Sequence, residues 1–95
     1  DRFGPEKALE LGLINKVVPA DAFDAEVDKL AARLASGPTY AYGETKRLLL
    51  QSSTTSISDQ LTAETQSFVK CAMSKDFRKG VMAFVNKQKP DFTGE

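Results

Sequence analysis

The stretch that most constrains the fold is residues 74–92, SKDFRKGVMAFVNKQKPDF, in which apolar side chains recur at the spacing of a helix. Four of these side chains and one glutamine share a single stripe: Phe77, Val81, Phe84, Val85 and Gln88. Ser74 is a good N-cap, Asp76 puts a carboxylate in the first turn, where the helix dipole favours it, and Pro90 prevents continuation. The pattern predicts an amphipathic helix that ends in a basic turn, with the rest of the chain as its support.

An aromatic ring and an ammonium group lie close together near the end of this predicted helix. Lys87 follows Phe84 by three residues, so the two side chains should lie next to each other on the helix surface. In one interpretation the ring is core and the lysine is a favourable cation in the last turn, worth about 0.3–1 kcal/mol. In the other, Phe84 packs against a flat base while Lys87 reaches a phosphate, a natural partner for an ammonium on a flexible stem. Spacing alone favours the first interpretation.

Length and charge limit the class of protein. The chain has 95 residues, enough for one small domain with a modest core. Its 13 basic residues balance 13 acidic residues, which is atypical of a nucleic-acid-binding protein and leaves no polybasic signal for membranes. No apolar run approaches the roughly 18 residues that span a bilayer, and no signal-peptide pattern opens the chain. These features predict a soluble chain that binds neither nucleic acid nor membrane.

The residue types available for catalysis are few. Histidine is absent and Cys71 is the single cysteine, which excludes a disulfide framework, a zinc cluster and imidazole catalysis within this chain and fits a reducing, cytoplasmic setting. Cys71 is expected to be a small buried hydrophobe. No acid–base pair stands out among the carboxylates that are expected on solvated helix faces or at caps: Glu10, Glu26, Glu44, Glu64 and Asp76. Lys46 and Arg47 are likewise expected on a solvated face.

Four further helices are predicted before residue 74. The first begins at Pro5 and is closed by Gly12, and the second is capped by Asp21 and ends before Gly37. The third runs from Thr39 to about residue 51. Between the first two, residues 13–18 are rich in β-branched side chains and predict a short strand or an extended segment.

The fourth helix has a capping-box spacing at its start, where Ser56 precedes Asp59 by three residues. Its stripe contains Ile57, Leu61, Thr65, Phe68 and Ala72. This pattern favours Phe68 as a core residue over Phe68 as part of a pocket. The predicted fold is all-α, with about five helices and one short extended segment.

Three blocks of the sequence resemble the C-terminal third of the crotonase, or enoyl-CoA hydratase/isomerase, superfamily. Residues 8–19, ALELGLINKVVP, are similar to the family segment EAlelGLvnkVvp, and residues 45–49, TKRLL, are similar to its tKrll helix. Residues 76–84, DFRKGVMAF, resemble the start of the pattern D..EG..AF.eKR.P.F.G. Four more residues match the rest of that pattern: Lys87, Pro90, Phe92 and Gly94. Lys79 and Gln88 depart from the usual Glu and Arg, which puts a local salt bridge in doubt at each position.

The resemblance implies that residues 1–95 are the C-terminal trimerisation region of the crotonase (ClpP/crotonase-like α/β) fold, a spiral of ββα repeats followed by helices. It implies that Phe84 and Lys87 contact the adenosine-3′-phosphate end of coenzyme A held largely by a neighbouring subunit, and that Phe68 lies near the bound thioester. This reverses the interpretation drawn from spacing. In the family, the oxyanion-hole donors and the carboxylates that move protons lie in the N-terminal region. No catalytic residue, no metal ligand and no cofactor other than the coenzyme A thioester substrate are therefore expected here.

The resemblance thus implies part of a cytoplasmic enzyme that hydrates a 2-enoyl-CoA or isomerises a double bond in an acyl-CoA. The chain opens at Asp1 rather than Met, as a fragment or processed chain would, and is expected to be inactive alone. Self-association is expected, as the family trimer or hexamer or with exchanged helices, because helices that pack on a missing domain would expose apolar surface. The alternative is a free-standing helical oligomerisation or interaction module without catalysis.

Overall fold

The computed structural model describes residues 2–95, and all of the regular structure in that range is helical. The five α-helices are α1 (Pro5–Glu10), α2 (Phe23–Ala35), α3 (Thr39–Ser52), α4 (Ile57–Ala72) and α5 (Lys75–Val85). A single 3-10 turn, Ala20–Ala22, leads into α2. The predicted all-α fold with five helices is confirmed. Residues 13–18 form an irregular connection, and no strand is present between residues 2 and 95.

The chain divides into two compact units, one ending at Ala31 and the other comprising Ala32–Glu95. In the first unit, Pro5 opens α1 and Gly12 closes it, as predicted. Gly12 has a φ of 71°, and hydrogen bonds from its own N–H to the Leu9 carbonyl (3.0 Å) and from the Leu13 N–H to the Ala8 carbonyl (2.9 Å) complete a Schellman motif. Glycine takes this left-handed conformation without steric cost.

The start of α2 differs from the prediction that Asp21 caps it. Asp21 lies inside the 3-10 turn, whose N-cap position is Pro19, and no side-chain capping bond is formed at that position. The 3-10 turn instead satisfies a backbone donor at the start of α2, because the Phe23 N–H donates to the Ala20 carbonyl. Lys16 pairs with Glu26 across this connection, and the hydrogen bond from the Lys16 ammonium lowers the pKa of Glu26.

In the second unit, two predicted helix caps are confirmed. The Ser56 hydroxyl accepts a hydrogen bond from the Asp59 N–H (3.1 Å) and donates one to Asp59 Oδ2 (2.7 Å). The Ser74 hydroxyl accepts from the Phe77 N–H at 3.1 Å. The two bonds that the hydroxyls accept each satisfy a backbone N–H that the first helical turn leaves unpaired, so the sequence signals at Ser56 and Ser74 correspond to real helix starts.

The end of α5 lies earlier than predicted, at Val85 and not near Pro90. Lys87 has a φ of 53°, its N–H donates to the Phe84 carbonyl (3.1 Å), and the Gln88 N–H donates to the Ala83 carbonyl (2.8 Å). This is a second Schellman motif, with lysine at the position that glycine usually takes. The last-turn interpretation of Lys87 is therefore wrong, because the residue lies beyond the helix and reverses the chain, and Gln88 is not part of the helical stripe.

Within the second unit, α3 packs on α4 and α4 packs on α5, but little apolar surface is fully buried. Ala83, 8% exposed, is the one buried apolar side chain among the described residues. Phe68, predicted as core, is 66% exposed, because neither α3 nor α5 covers its face of α4 strongly enough to bury it. The apolar stripes of these helices are therefore largely open to solvent. Contiguous apolar surface of this kind usually marks a region that contacts another protein surface.

Candidate functional site

The second unit contains an open apolar groove of about 390 Å³ along α5. Its walls come from four parts of this unit: the start of α3, the end of α4, α5 itself and the C-terminal residues. The apolar residues that define it are Ala41, Cys71, Phe77, Val81, Phe84 and Phe92. Cys71 is half-buried in this wall, close to its predicted role as a small buried hydrophobe. The groove is thus a surface for apolar contact, with no acid–base pair in its lining.

Phe84 lies at the edge of this groove and is 85% exposed. Its ring therefore presents most of its surface to solvent, which excludes the core interpretation of Phe84 within this chain. Lys87 is also exposed, and among residues 2–95 no carboxylate lies within ion-pair distance of its ammonium. The Schellman motif puts both residues in the same turn, through the hydrogen bond from the Lys87 N–H to the Phe84 carbonyl. An exposed ring and an unpaired cation thus lie at one end of α5.

Phe68, the third predicted site residue, is on α4 and does not line the groove. The structure therefore brings together two of the three residues, Phe84 and Lys87, and leaves Phe68 on a separate exposed face.

The backbone of Lys87 is in an unfavourable region for a residue with a side chain. A left-handed φ brings Cβ too close to the neighbouring carbonyl and costs an L-residue about 1–2 kcal/mol. Gly12 occupies the same position of the same motif at the end of α1, where this cost does not arise. Strained residues of this kind occur preferentially at ligand-binding sites.

The residues after α5 fold back along it, and we call residues 86–95 the C-terminal strap. Asp76, 3% exposed, holds the end of this strap: Oδ1 accepts from the Thr93 N–H and Oδ2 from the Gly94 N–H, both at 2.8 Å. The Asp76 N–H donates in turn to the Glu95 carbonyl at 2.9 Å. The Thr93 backbone hydrogen bond is the main cause that lowers the pKa of Asp76. Asp76 is therefore a structural anchor as well as a carboxylate in a first helical turn.

The strap is also held by contacts along its length. The Phe92 ring lies over the backbone of α5, where a Cβ at Gly80 would be 3.4 Å from Phe92 Cε1. Lys79 donates a hydrogen bond to the Thr93 hydroxyl at 3.0 Å. An exposed ion pair joins Lys75 to Glu95 at 2.6 Å, although such pairs contribute little to stability. Phe92, at the middle of these contacts, is one wall of the groove.

A polar cluster joins α3 to α4, and sequence reasoning missed it. Arg47 Nη2 donates to Glu44 Oε2 (2.9 Å) and to the Ser67 hydroxyl (2.6 Å), which itself donates to Glu44 Oε2 at 2.6 Å. The hydrogen bond from Arg47 is the largest cause that lowers the pKa of Glu44 to about 2. Arg47 is exposed, as expected, but its guanidinium also bridges α3 and α4. Ser67 is 3% exposed and lies outside the apolar stripe of α4, so no sequence signal marked it as buried.

No group of three or more His, Cys, Asp or Glu side chains in residues 2–95 could hold a metal ion. No helix in the same range is long and apolar enough to cross a membrane.

Comparison with known proteins identifies relatives along the whole chain. The profile of the enoyl-CoA hydratase/isomerase family matches residues 1–95. A probable enoyl-CoA hydratase of Rhodobacter capsulatus is 35% identical over 99% of this chain and 37% of its own length. The 1,2-epoxyphenylacetyl-CoA isomerase of Escherichia coli is 33% identical over 100% of this chain and 36% of its own length.

Solved structures give the same result. An enoyl-CoA hydratase from Mycobacterium tuberculosis superposes with a TM-score of 0.85 at 30% identity, over 100% of this chain and 38% of its own. A Mycobacterium abscessus protein assigned as an enoyl-CoA hydratase/isomerase superposes with a TM-score of 0.96 at 33% identity, over 100% of this chain and 36% of its own. The chain spans about a third of the length of these relatives. On the strength of the match along its entire length, this chain belongs to the enoyl-CoA hydratase/isomerase family.

Proposed function

We propose that residues 1–95 are the C-terminal helical region of an enzyme that hydrates or isomerises an acyl-CoA, and that they supply coenzyme A contacts and surface for oligomer assembly. The catalytic spiral, with its oxyanion hole and carboxylates, belongs to the other part of such an enzyme. The substrate is a coenzyme A thioester, and the reaction needs no further cofactor. This proposal is supported by the family match and by relatives named as hydratases and isomerases.

The observation that carries the proposal is the pairing of Phe84 and Lys87 at one end of α5. A ring that is 85% exposed offers a flat apolar face for an adenine, and the exposed lysine in the turn that follows it offers an ammonium as a partner for a phosphate. Both features cost stability unless a ligand uses them, because exposed aromatic surface and a left-handed lysine are each unfavourable. We assign these two residues to the adenosine-3′-phosphate end of coenzyme A.

Phe68 has a different place in the proposal. It is exposed on α4 and does not line the groove, so its assigned position near the thioester requires contact with residues outside this chain. Substituting Phe68 should therefore leave binding of the adenosine end by this chain unchanged.

Direct binding tests the assignment of Lys87. Titration of the 95-residue chain with adenosine-3′,5′-bisphosphate, followed by calorimetry, should show binding that Lys87→Ala removes. Lys89→Ala is the matched control, because it removes the same charge from an exposed strap position two residues away. Equal losses from the two variants would show that only net charge matters and would contradict the assignment.

Absence of turnover tests the placement of the catalytic groups. The chain alone should not hydrate crotonyl-CoA in a steady-state assay, because the proposal puts the oxyanion hole and the general base elsewhere. Turnover by the purified chain at any rate above that of buffer would refute this part of the proposal.

The second candidate function is a free-standing helical oligomerisation module without ligand. The observation that favours it is the exposed apolar surface on α4, on α5 and at Met73 between them, which includes Phe68. Both candidates predict self-association, as a trimer, a hexamer or an assembly with exchanged helices, so a compact monomer in sedimentation at tens of micromolar would contradict both. Binding of adenosine-3′,5′-bisphosphate separates them, since an assembled form that binds none supports the module.

A further inference from the structure

The C-terminal strap is fixed at both ends, and Lys87 lies between the fixed points. At one end, the Schellman hydrogen bond from the Gln88 N–H to the Ala83 carbonyl, 2.8 Å long, closes α5. At the other end, Asp76 accepts the N–H groups of Thr93 and Gly94. The left-handed residue therefore lies in a segment whose two ends are held by hydrogen bonds to opposite ends of the same helix.

The geometry of this return path requires a reversal immediately after the helix. From Asp76 to Val85, α5 advances roughly 14 Å at 1.5 Å per residue. Residues 86–93 must cover that distance in the opposite direction, and Phe92 must reach Gly80 on the way. A chain that continued in helical or extended conformation past Val85 would move away from Asp76. Lys87 is the one non-glycine residue between residues 2 and 95 with a positive φ, and the chain reverses at this residue.

Gly94 is the second fixed point of the strap. Its φ is 78°, and a Cβ built on it would lie 2.5 Å from Thr39 Oγ1 on α3. A side chain at this position is therefore opposed both by the backbone conformation and by contact with Thr39. A side chain at residue 94 therefore strains the closure of the strap onto Asp76.

We propose that Asp76 and Gly94 are positioning residues for Lys87: by tying down the strap, they hold Lys87 in its left-handed conformation and so keep it in the turn that follows Phe84. The functional part of this inference rests on the proposed role of Lys87 in binding coenzyme A. The structural part, control of the Lys87 backbone by a carboxylate at the far end of α5, stands independently.

NMR spectroscopy of the 95-residue chain tests the structural part. A residue with positive φ gives a strong intraresidue NOE between its N–H and Hα, and Lys87 should show it in the unmodified chain. Asp76→Asn should weaken that NOE and shift the amide resonances of Thr93 and Gly94. Gly94→Ala should do the same without touching the carboxylate, which keeps the test valid if Asp76→Asn fails to fold.

Asp59→Asn is the matched control, because it makes the same chemical change in the first turn of α4. It should leave the Lys87 NOE unchanged. Retention of a strong Lys87 NOE in Gly94→Ala, with the Thr93 amide released to solvent, would overturn the inference.

Binding of adenosine-3′,5′-bisphosphate tests the functional part. Asp76→Asn should weaken binding, by no more than Lys87→Ala does. The double variant Asp76→Asn, Lys87→Ala should bind as weakly as Lys87→Ala alone and no more weakly. Additive losses would show that Asp76 does not act through Lys87 and would overturn the positioning role. If the unmodified chain binds no ligand while the NOE responds as expected, the proposed function fails and the structural part of the inference holds.

Discussion

Replacing Lys87 with glycine should make the protein more stable although it removes a whole side chain. Lys87 has a φ of 53°, close to the centre of the left-handed region, where an L-residue pays about 1–2 kcal/mol that glycine does not pay. Glycine also has more conformational freedom than lysine in the unfolded chain, and this stabilises the unfolded state by about 0.4–1 kcal/mol, which offsets part of the gain. The expected net effect of Lys87→Gly is an increase of about 0.5–1 kcal/mol in the free energy of unfolding.

Urea unfolding followed by far-ultraviolet circular dichroism measures this effect, because the chain is largely helical. Lys87→Ala is the essential comparison, since it removes the same ammonium but keeps the backbone cost. Lys87→Gly should unfold at higher urea than Lys87→Ala, and both should lose ligand binding equally.

Gly12→Ala provides the opposite experiment at the end of α1. Gly12 has a φ of 71° in the same motif, and a Cβ there would meet no atom within 4 Å, so only the backbone term acts. This variant should destabilise the protein by about 0.5–1 kcal/mol. If Lys87→Gly is no more stable than Lys87→Ala while Gly12→Ala is clearly destabilised, the left-handed cost at Lys87 has been overestimated and the reasoning from φ fails.

Three other changes have expected outcomes in the same unfolding assay. Ser74→Ala should cost about 1 kcal/mol, since the hydroxyl caps α5 through the Phe77 N–H, and Ser74→Asp should restore most of it. Gly37→Ala should cost about 0.5–1.5 kcal/mol, because the new methyl would lie 2.7 Å from Tyr42 Cζ and the exposed Tyr42 ring must leave its rotamer, and Tyr42→Phe should not relieve that cost. Acid should destabilise the fold, because folding lowers the pKa of Glu44 from 4.5 to about 2 and also lowers the pKa of Asp76 from 3.8. Both carboxylates therefore stabilise the folded state above their unfolded pKa values, and this stability is lost as pH falls through the folded pKa values. Glu44→Gln should flatten this loss between about pH 4.5 and 2, and an unchanged profile would exclude Glu44 as its source.

The helix starts could be predicted from the sequence because their signals are local. The Ser56 and Ser74 hydroxyls accept from backbone N–H groups three residues ahead, and Pro5 has a fixed φ that suits the first helical position, so each signal lies within a few residues of the helix start. Gly12 is predictable for the same reason, since glycine is the residue that the left-handed position favours.

The end of α5 could not be predicted in this way, because its cause is distant in the sequence. No local signal marks Lys87 as left-handed, and Pro90 suggested a later end. The reversal depends on Asp76, which lies 11 residues before Lys87 and accepts N–H groups from residues 93 and 94. The hydrogen bond from Arg47 to Ser67 could not be predicted for a similar reason, since Ser67 is on another helix.

The candidate site combines residues of two kinds, and the third sequence block contains both. Asp76 and Gly80 hold the strap, one through hydrogen bonds and the other by admitting the Phe92 ring against the helix backbone. Phe84 and Lys87 are exposed, and the hydrogen bond from the Lys87 N–H to the Phe84 carbonyl joins them in one turn. Because charge-assisted hydrogen bonds to Asp76 are stronger than neutral ones, they can keep a lysine in a conformation that the local sequence disfavours. The spacing of this block therefore describes one physical unit, in which Asp76 near the start of α5 and Gly80 in its middle fix the strap that leads away from Phe84 and Lys87.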